Sequence, residues 1–225
     1  TPLGLGMTVS IDPLTSSATT AGTIYIQTGI KGSTSAVDST AKTLNVAGLP
    51  VTTDSATFIV TSAGQAGSFA DLTDNLNVEV YGLPQTDGTF KATRIEIKAT
   101  AQSVQLVGTV SNLNTANNTF TLGSGSNTVT IAYSGVTAPT GLVNGSVVSV
   151  HTATTATASQ YTATSLYLRS TNVSTFTQYA TNYGGTSGVY NEANELYGMV
   201  SNLTGTAPYT NGCSMQVQGV PTTLR

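Results

Sequence analysis

Apolar and polar residues alternate along short stretches of this chain, strictly in Leu76-Asn77-Val78-Glu79-Val80 and with a two-residue polar step in Ala92-Thr93-Arg94-Ile95-Glu96-Ile97 and Ala163-Thr164-Ser165-Leu166-Tyr167-Leu168. A period of two sends successive side chains to opposite faces of an extended backbone, so each stretch predicts a strand with one face toward a core. Thr and Val, whose branched Cβ stiffens χ1, occupy many of these positions, and Gly, Asn and Asp gather between them as turn residues, as at Asp87-Gly88. The pattern predicts an all-β protein of many short strands.

The stretches recur in a fixed order, which is the mark of internal repeats. Gly108-Thr109-Val110-Ser111-Asn112-Leu113 returns as Gly198-Met199-Val200-Ser201-Asn202-Leu203, with a weaker copy at Gly32-Ser33-Thr34-Ser35-Ala36-Val37. A polar turn and a second strand follow each: Thr43-Leu44-Asn45-Val46, Thr119-Phe120-Thr121-Leu122 and Ser214-Met215-Gln216-Val217. Ala47-Gly48-Leu49-Pro50-Val51-Thr52-Thr53 then matches Gln218-Gly219-Val220-Pro221-Thr222-Thr223 with one residue fewer. This front half is completed by a back half, a hairpin formed by residues 76–80 with 92–97 in one copy and 146–150 with 163–168 in the next. Complete repeats are expected at 29–100 and 101–170. The ends do not fill the template. Leu5 to Ile11 and Ala21 to Ile26 read as a back half without its front, Gly6 aligning with Gly145, whereas Leu196 to Arg225 is a front half without its back. Segments 1–28 and 195–225 are therefore expected to be complementary halves of one split repeat. Segment 171–194, which holds Phe176, Tyr179, Tyr183 and Tyr190, reads either as a linker or as a docking strip.

Gly108-Thr109-Val110-Ser111, the Gly-Leu-Pro-Val element at 48 to 51, Val78-Glu79-Val80-Tyr81-Gly82 and Asp87-Gly88-Thr89-Phe90-Lys91-Ala92-Thr93-Arg94-Ile95 together resemble a family of repeat domains of unknown function found in exported bacterial proteins and lipoproteins. The resemblance implies small OB-like β-barrels in tandem and carries no chemistry with it. The second copy lacks the Gly-Leu-Pro-Val element and the Asp-Gly turn.

Composition narrows the partners. Charged residues make up 8% of the 225, against roughly 25% in an average soluble protein, and the net charge is -3 with no basic run. Nucleic acid is not an expected partner, because phosphate backbones are bound through clustered cations. No apolar stretch approaches the roughly 18 to 20 residues of a membrane span. No charged, apolar leader begins at Thr1, so any signal segment is expected to have been removed. A surface solvated by Thr, Ser and Asn resembles those of bacterial cell-surface and matrix proteins, and a secreted, extracellular location is expected.

Catalytic parts are sparse. With His151 and Cys213 the only His and Cys, no transition-metal site is expected, and neither a Gly-x-Ser-x-Gly elbow nor a phosphate loop occurs. His151 reads as a solvent-facing strand-end residue. Glu79 and Glu96 alternate with apolar neighbours and read as a surface ion pair beside Lys91, Arg94 and Lys98, not as a hydrolytic couple. Asp71 with Asp74, and Glu192 with Glu195, lack a calcium-loop pattern. Cys213 reads as a small, partly buried residue opening a strand. The expectation is a protein that is not an enzyme and takes no cofactor or metal.

An unfinished barrel bares a strand edge and an apolar face, and in water both seek a partner. Three pairings meet that need. The C-terminal half of one copy is completed by the N-terminal strands of the next, giving a head-to-tail filament; or the two ends of one chain meet; or the sequence is cut from a longer array. The first makes the chain a structural subunit of an extracellular filament or matrix, its partner being itself. Its subunit interface would comprise Met7, Val9, Ile11, Ile24, Ile26, Val200, Leu203, Met215, Val217 and Val220. The second leaves a monomeric, exported binding module with glycan or peptide contacts.

Overall fold

The computed structural model describes residues 3–14, 17–153, 159–174, 196–205, 213–217 and 220–224. Within them the chain is built on β-strands, with a short 3-10 turn at Phe69–Asp71. The strands close into small barrels.

The first barrel uses β3 (Ile30–Asp38), β4 (Thr43–Val46), β5 (Leu49–Thr52), β7 (Asn77–Pro84) and β8 (Phe90–Lys98), with β6 (Phe58–Val60) following β5 along the same edge of β8. β3, β4 and β5 form an antiparallel meander, β5 runs parallel to β8, and β7 joins β8 to β3. The hairpin between β7 and β8 turns at Asp87-Gly88, where Gly88 takes a φ of 85° and the Asp87 carboxylate accepts the Thr89 amide at 2.9 Å and hydroxyl at 2.7 Å. The local reason is that the left-handed turn position needs a residue without Cβ, and a preceding Asp folds back on the backbone.

The second barrel repeats the order. β9 (Gln105–Thr109) and β10 (Ser111–Asn114) share the first position, followed by β11 (Thr119–Ser124) and β12 (Asn127–Ala132). β12 runs parallel to β14 (Gln160–Ser170), and β13 (Val147–Thr152) returns from β14 to β9. The two barrels meet where Lys31 of β3 faces Gln105 of β9, and they share one continuous apolar cluster running from Ile30 and Val80 to Val148 and Leu166. Tyr161, buried in that cluster, donates its hydroxyl to the Ala47 carbonyl across the junction. These two barrels form the body of the molecule.

The third barrel draws on both ends of the chain. β1 (Thr8–Leu14) and β2 (Ser17–Ile26) form a hairpin, and β15 (Leu196–Thr204), β16 (Ser214–Val217) and β17 (Val220–Thr223) form a meander. β1 pairs antiparallel with β15 and β17 runs parallel to β2, which closes the ring. The pairing order is that of the other two barrels. A pair of backbone bonds recurs in all three: Thr34 with Asn75 and Leu76, Val110 with Gly145 and Ser146, and Val200 with Gly6 and Met7, at 2.8–3.0 Å. Asn75, Gly145 and Gly6 all take positive φ there, as do Ala36, Asn112 and Asn202 two residues beyond the other partner.

Candidate assembly interface

The end barrel has a core of its own. Val9, Ile11 and Ala21 from the N-terminal hairpin pack with Val200, Met215, Val217 and Leu224 from the C-terminal arm, and this cluster is separate from that of the body. Among the expected interface residues, Val9, Ile11, Val200, Met215 and Val217 are fully buried in it, and Ile24, Ile26 and Leu203 pack partly buried against it. Met7 is buried too, but it lines a cleft of about 330 Å³ with Leu3, Val60 and Arg94, between the end barrel and the body. Val220 lies in β17, opposite Val217; its side chain lies outside the described residues. Leu224 and Ala21 were not expected. Leu224 falls in the alternation Thr222-Thr223-Leu224 just short of the chain end, and its amide donates to the Cys213 carbonyl at 2.9 Å. Cys213 is half-buried before β16 and packs against the same core.

Six large apolar side chains divided between hairpin and arm contribute ~2 kcal/mol each when covered, or roughly 12 kcal/mol gross. Neither half keeps its share alone. Separated, the hairpin bares Val9 and Ile11 and the arm bares Val200, Met215, Val217 and Leu224.

A polar joint fastens the hairpin to the body. Glu79 and Glu96 face each other across β7 and β8, and both are buried at 6% exposure. The expectation of a solvent-facing pair is corrected here: the alternating face is the one over which the N-terminal segment and its link at Thr28 fold. Lys98 bridges the two carboxylates at 3.0 and 2.6 Å, Lys31 meets Glu79 at 3.0 Å, and Arg94 meets Glu96 at 2.6 Å. Lys91 stands apart and pairs with Asp54. Burial pushes the Glu79 carboxyl up, but the Thr28 hydroxyl at 2.7 Å and the ammonium groups of Lys98 and Lys31 outweigh it and hold the group down to about 2. Burial also opposes charge on Lys98, yet Glu96 and Glu79 raise its pKa. Tyr81, buried beside them, is raised by burial and by both carboxylates. Every carboxylate oxygen of the joint has a cationic partner, so the couple serves as a clamp and offers no free base.

From this joint, bonds reach the hairpin and its link. Arg94 Nη1 donates to the Leu5 carbonyl at 2.9 Å, Thr93 Oγ1 to that of Gly6 at 2.7 Å, and Gln105 Nε2 to that of Thr28 at 2.8 Å. Gly6 has a φ of 78°, and a Cβ there would lie 2.7 Å from both a Phe58 ring carbon and the Thr93 carbonyl oxygen. Only glycine fits this contact.

The remaining candidates have local roles. His151 lies within β13, half-buried and edge-on to Tyr167, so its expected solvent-facing position is corrected; burial, with Lys31 and Arg169 nearby, lowers its pKa. Asp71 accepts bonds from the Ser68 amide and hydroxyl, and Asp74 accepts the Val37 amide. Glu192, Glu195 and the tyrosines of 171–194 lie outside the described residues. Among the described residues no group of three or more His, Cys, Asp or Glu stands close enough to hold a metal, and no helix is long and apolar enough to cross a membrane.

Residues 31–96, the first barrel, match a family described as a domain of unknown function, DUF5666. No curated protein and no solved structure matches the chain.

Proposed function

We propose that this chain is the structural subunit of an extracellular filament or matrix, and that its copies join head to tail when the C-terminal arm β15–β17 of one completes the N-terminal hairpin of the next. The observation that carries the reading is the third barrel. Its two parts come from opposite ends of the chain, yet they make the same pairing order and the same pair of backbone bonds as the barrels made from continuous sequence. That likeness supports reading 1–28 and 195–225 as halves of one OB-like repeat. A contact between two ends that makes a whole unit works equally well between copies, and being heterologous it propagates. The chain closed on itself is then the resting monomer, and exchange of the partner is the growth step.

A second reading rests on the same barrel. Because both halves meet within one chain, the molecule also suits an exported, monomeric OB-like binding module for oligosaccharide or peptide. Thr8 and Met199 face each other across β1 and β15, which makes them a test. Two variants, Thr8→Cys and Met199→Cys, each with Cys213→Ser, are mixed, concentrated and oxidised. Exchange yields disulfide-linked pairs containing one copy of each, with fibres of the unsubstituted chain by negative-stain microscopy. A monodisperse monomer with no interchain bond supports the binding module instead.

A further inference from the structure

We infer that in this exchange the N-terminal hairpin stays on its own body as a preformed seat, and the C-terminal arm alone moves to the neighbouring copy. The inference rests on the strand-exchange reading and adds its direction. The hairpin is held to the body through the residues that flank it, just before β1 and just after β2, by three separate sets of contacts. Thr93 and Arg94 bond the carbonyls of Gly6 and Leu5, Gln105 and Glu79 bond the two ends of Thr28, and the Gly29 amide donates to Val80 at 2.9 Å. Its connection, residues 27–29 between β2 and β3, spans at most about 14 Å from strand end to strand end at ~3.5 Å per residue, too little to reach another copy. The glycine-sized gap at Gly6 lets the start of the hairpin lie directly against Phe58 and Thr93 of the body.

The arm is placed differently. Among the described residues its strand pairings outside itself all go to β1 and β2, and the bonds joining Val200 to Gly6 and Met7 lie just ahead of β1. Between Val173 and Leu196, which begins β15, the chain has residues 174–195, enough for a reach of up to about 80 Å at ~3.5 Å per residue. Val173 is still anchored, its amide donating to Gly145 at 2.9 Å, so that reach starts from the body. The seat therefore belongs to the copy that receives, and the partner it fits is the arm of a second copy.

Spin labels on full-length chains test the direction. In a Cys213→Ser background, one variant carries Tyr25→Cys and Tyr167→Cys, reporting hairpin to body; another carries Thr204→Cys and Tyr167→Cys, reporting arm to body. All three sites are exposed. Each labelled chain is diluted into an excess of unlabelled chain and assembled, so that only distances within one chain are read. The expected result is a hairpin-to-body distance unchanged between monomer and polymer, with the monomer's arm-to-body distance lost. Loss of the hairpin-to-body distance with the other kept overturns the inference and leaves exchange standing. Polymers that keep both distances, or chains that never polymerise, overturn the exchange reading and this inference with it.

Discussion

Glu79 and Glu96 stand opposite each other on neighbouring strands, where two carboxylates repel unless cations intervene. Lys31, Arg94 and Lys98 supply those cations, and their own partial exposure lets solvent screen the attraction. Glu79→Gln removes one charge and leaves Lys31 without its acid. We expect a loss of about 1–3 kcal/mol, read from the denaturant midpoint, with Glu79→Ala losing at least as much. The pH dependence has a definite sign. The Glu79 carboxyl is held at about 2 in the folded chain, below its ordinary 4.5. Its contribution is thus fully present above pH 4.5 and is lost as the pH falls toward 2. Unfolding at fixed urea should become easier across that window in the native chain, and the Glu79→Gln variant should show a smaller slope there; equal slopes would remove Glu79 as the cause. The strand at 76–80 was legible in the alternation, but the burial of its glutamate was not. A period of two says which side chains share a face and is silent on what a segment distant in sequence lays over that face.

Among the strands, the short front-half motifs were the most legible, because Gly198-Met199-Val200-Ser201-Asn202-Leu203 repeats Gly108 to Leu113 almost residue for residue. The physical reason lies in the backbone. Asn112 and Asn202 both take positive φ near 48°, and Asn tolerates the left-handed region better than most residues, so the same bend keeps the same residue. The third copy has Ala36 at the equivalent place, with a φ of 50°, and is correspondingly the weaker match. The joint was less legible, since Thr28, Thr93 and Gln105 act through side-chain bonds to carbonyls that no local pattern marks. The end barrel has a small core of its own, and this sets its stability apart from that of the body. Native-state hydrogen exchange is expected to show the amides of Gly6 and Val200 opening at lower free energy than those of Val110 and Gly145, which make the equivalent bonds in the body. Gly6→Ala, which adds a Cβ at positive φ against Phe58 and Thr93, should lower the opening energy of the end barrel by about 1–3 kcal/mol. The body amides should keep theirs. A uniform fall across all three barrels would mean that the end barrel is not an independent unit.

For the whole molecule, the choice between closing alone and joining a neighbour is a competition between identical contacts. The hairpin and arm bury the same residues either way, so the balance is set by the effective concentration that residues 171–195 confer on the tethered arm against the concentration of other copies. An arm carried on the same chain is present at an effective concentration of roughly millimolar order, so growth should depend steeply on subunit concentration and should be slow, because the resting barrel must open first. The competition can be removed by breaking each half in a different chain. A chain with Met215→Asp and Val217→Asp keeps a sound seat and loses its arm; one with Val9→Asp and Ile11→Asp keeps a sound arm and loses its seat. A carboxylate buried without a partner costs several kcal/mol, enough to cancel most of a gross gain of roughly 12 kcal/mol when two are placed in one half. Neither chain should close on itself or polymerise alone. Mixed in equal amounts, they have one sound seat and one sound arm between them and nothing left to propagate, so light scattering after size exclusion should give a heterodimer and no larger species. Added in small amounts to the native chain, each should stop growth at a different end. A mixture that remains monomeric would show that the contact between the ends works only within one chain, and would leave the exported binding module as the reading that the third barrel supports.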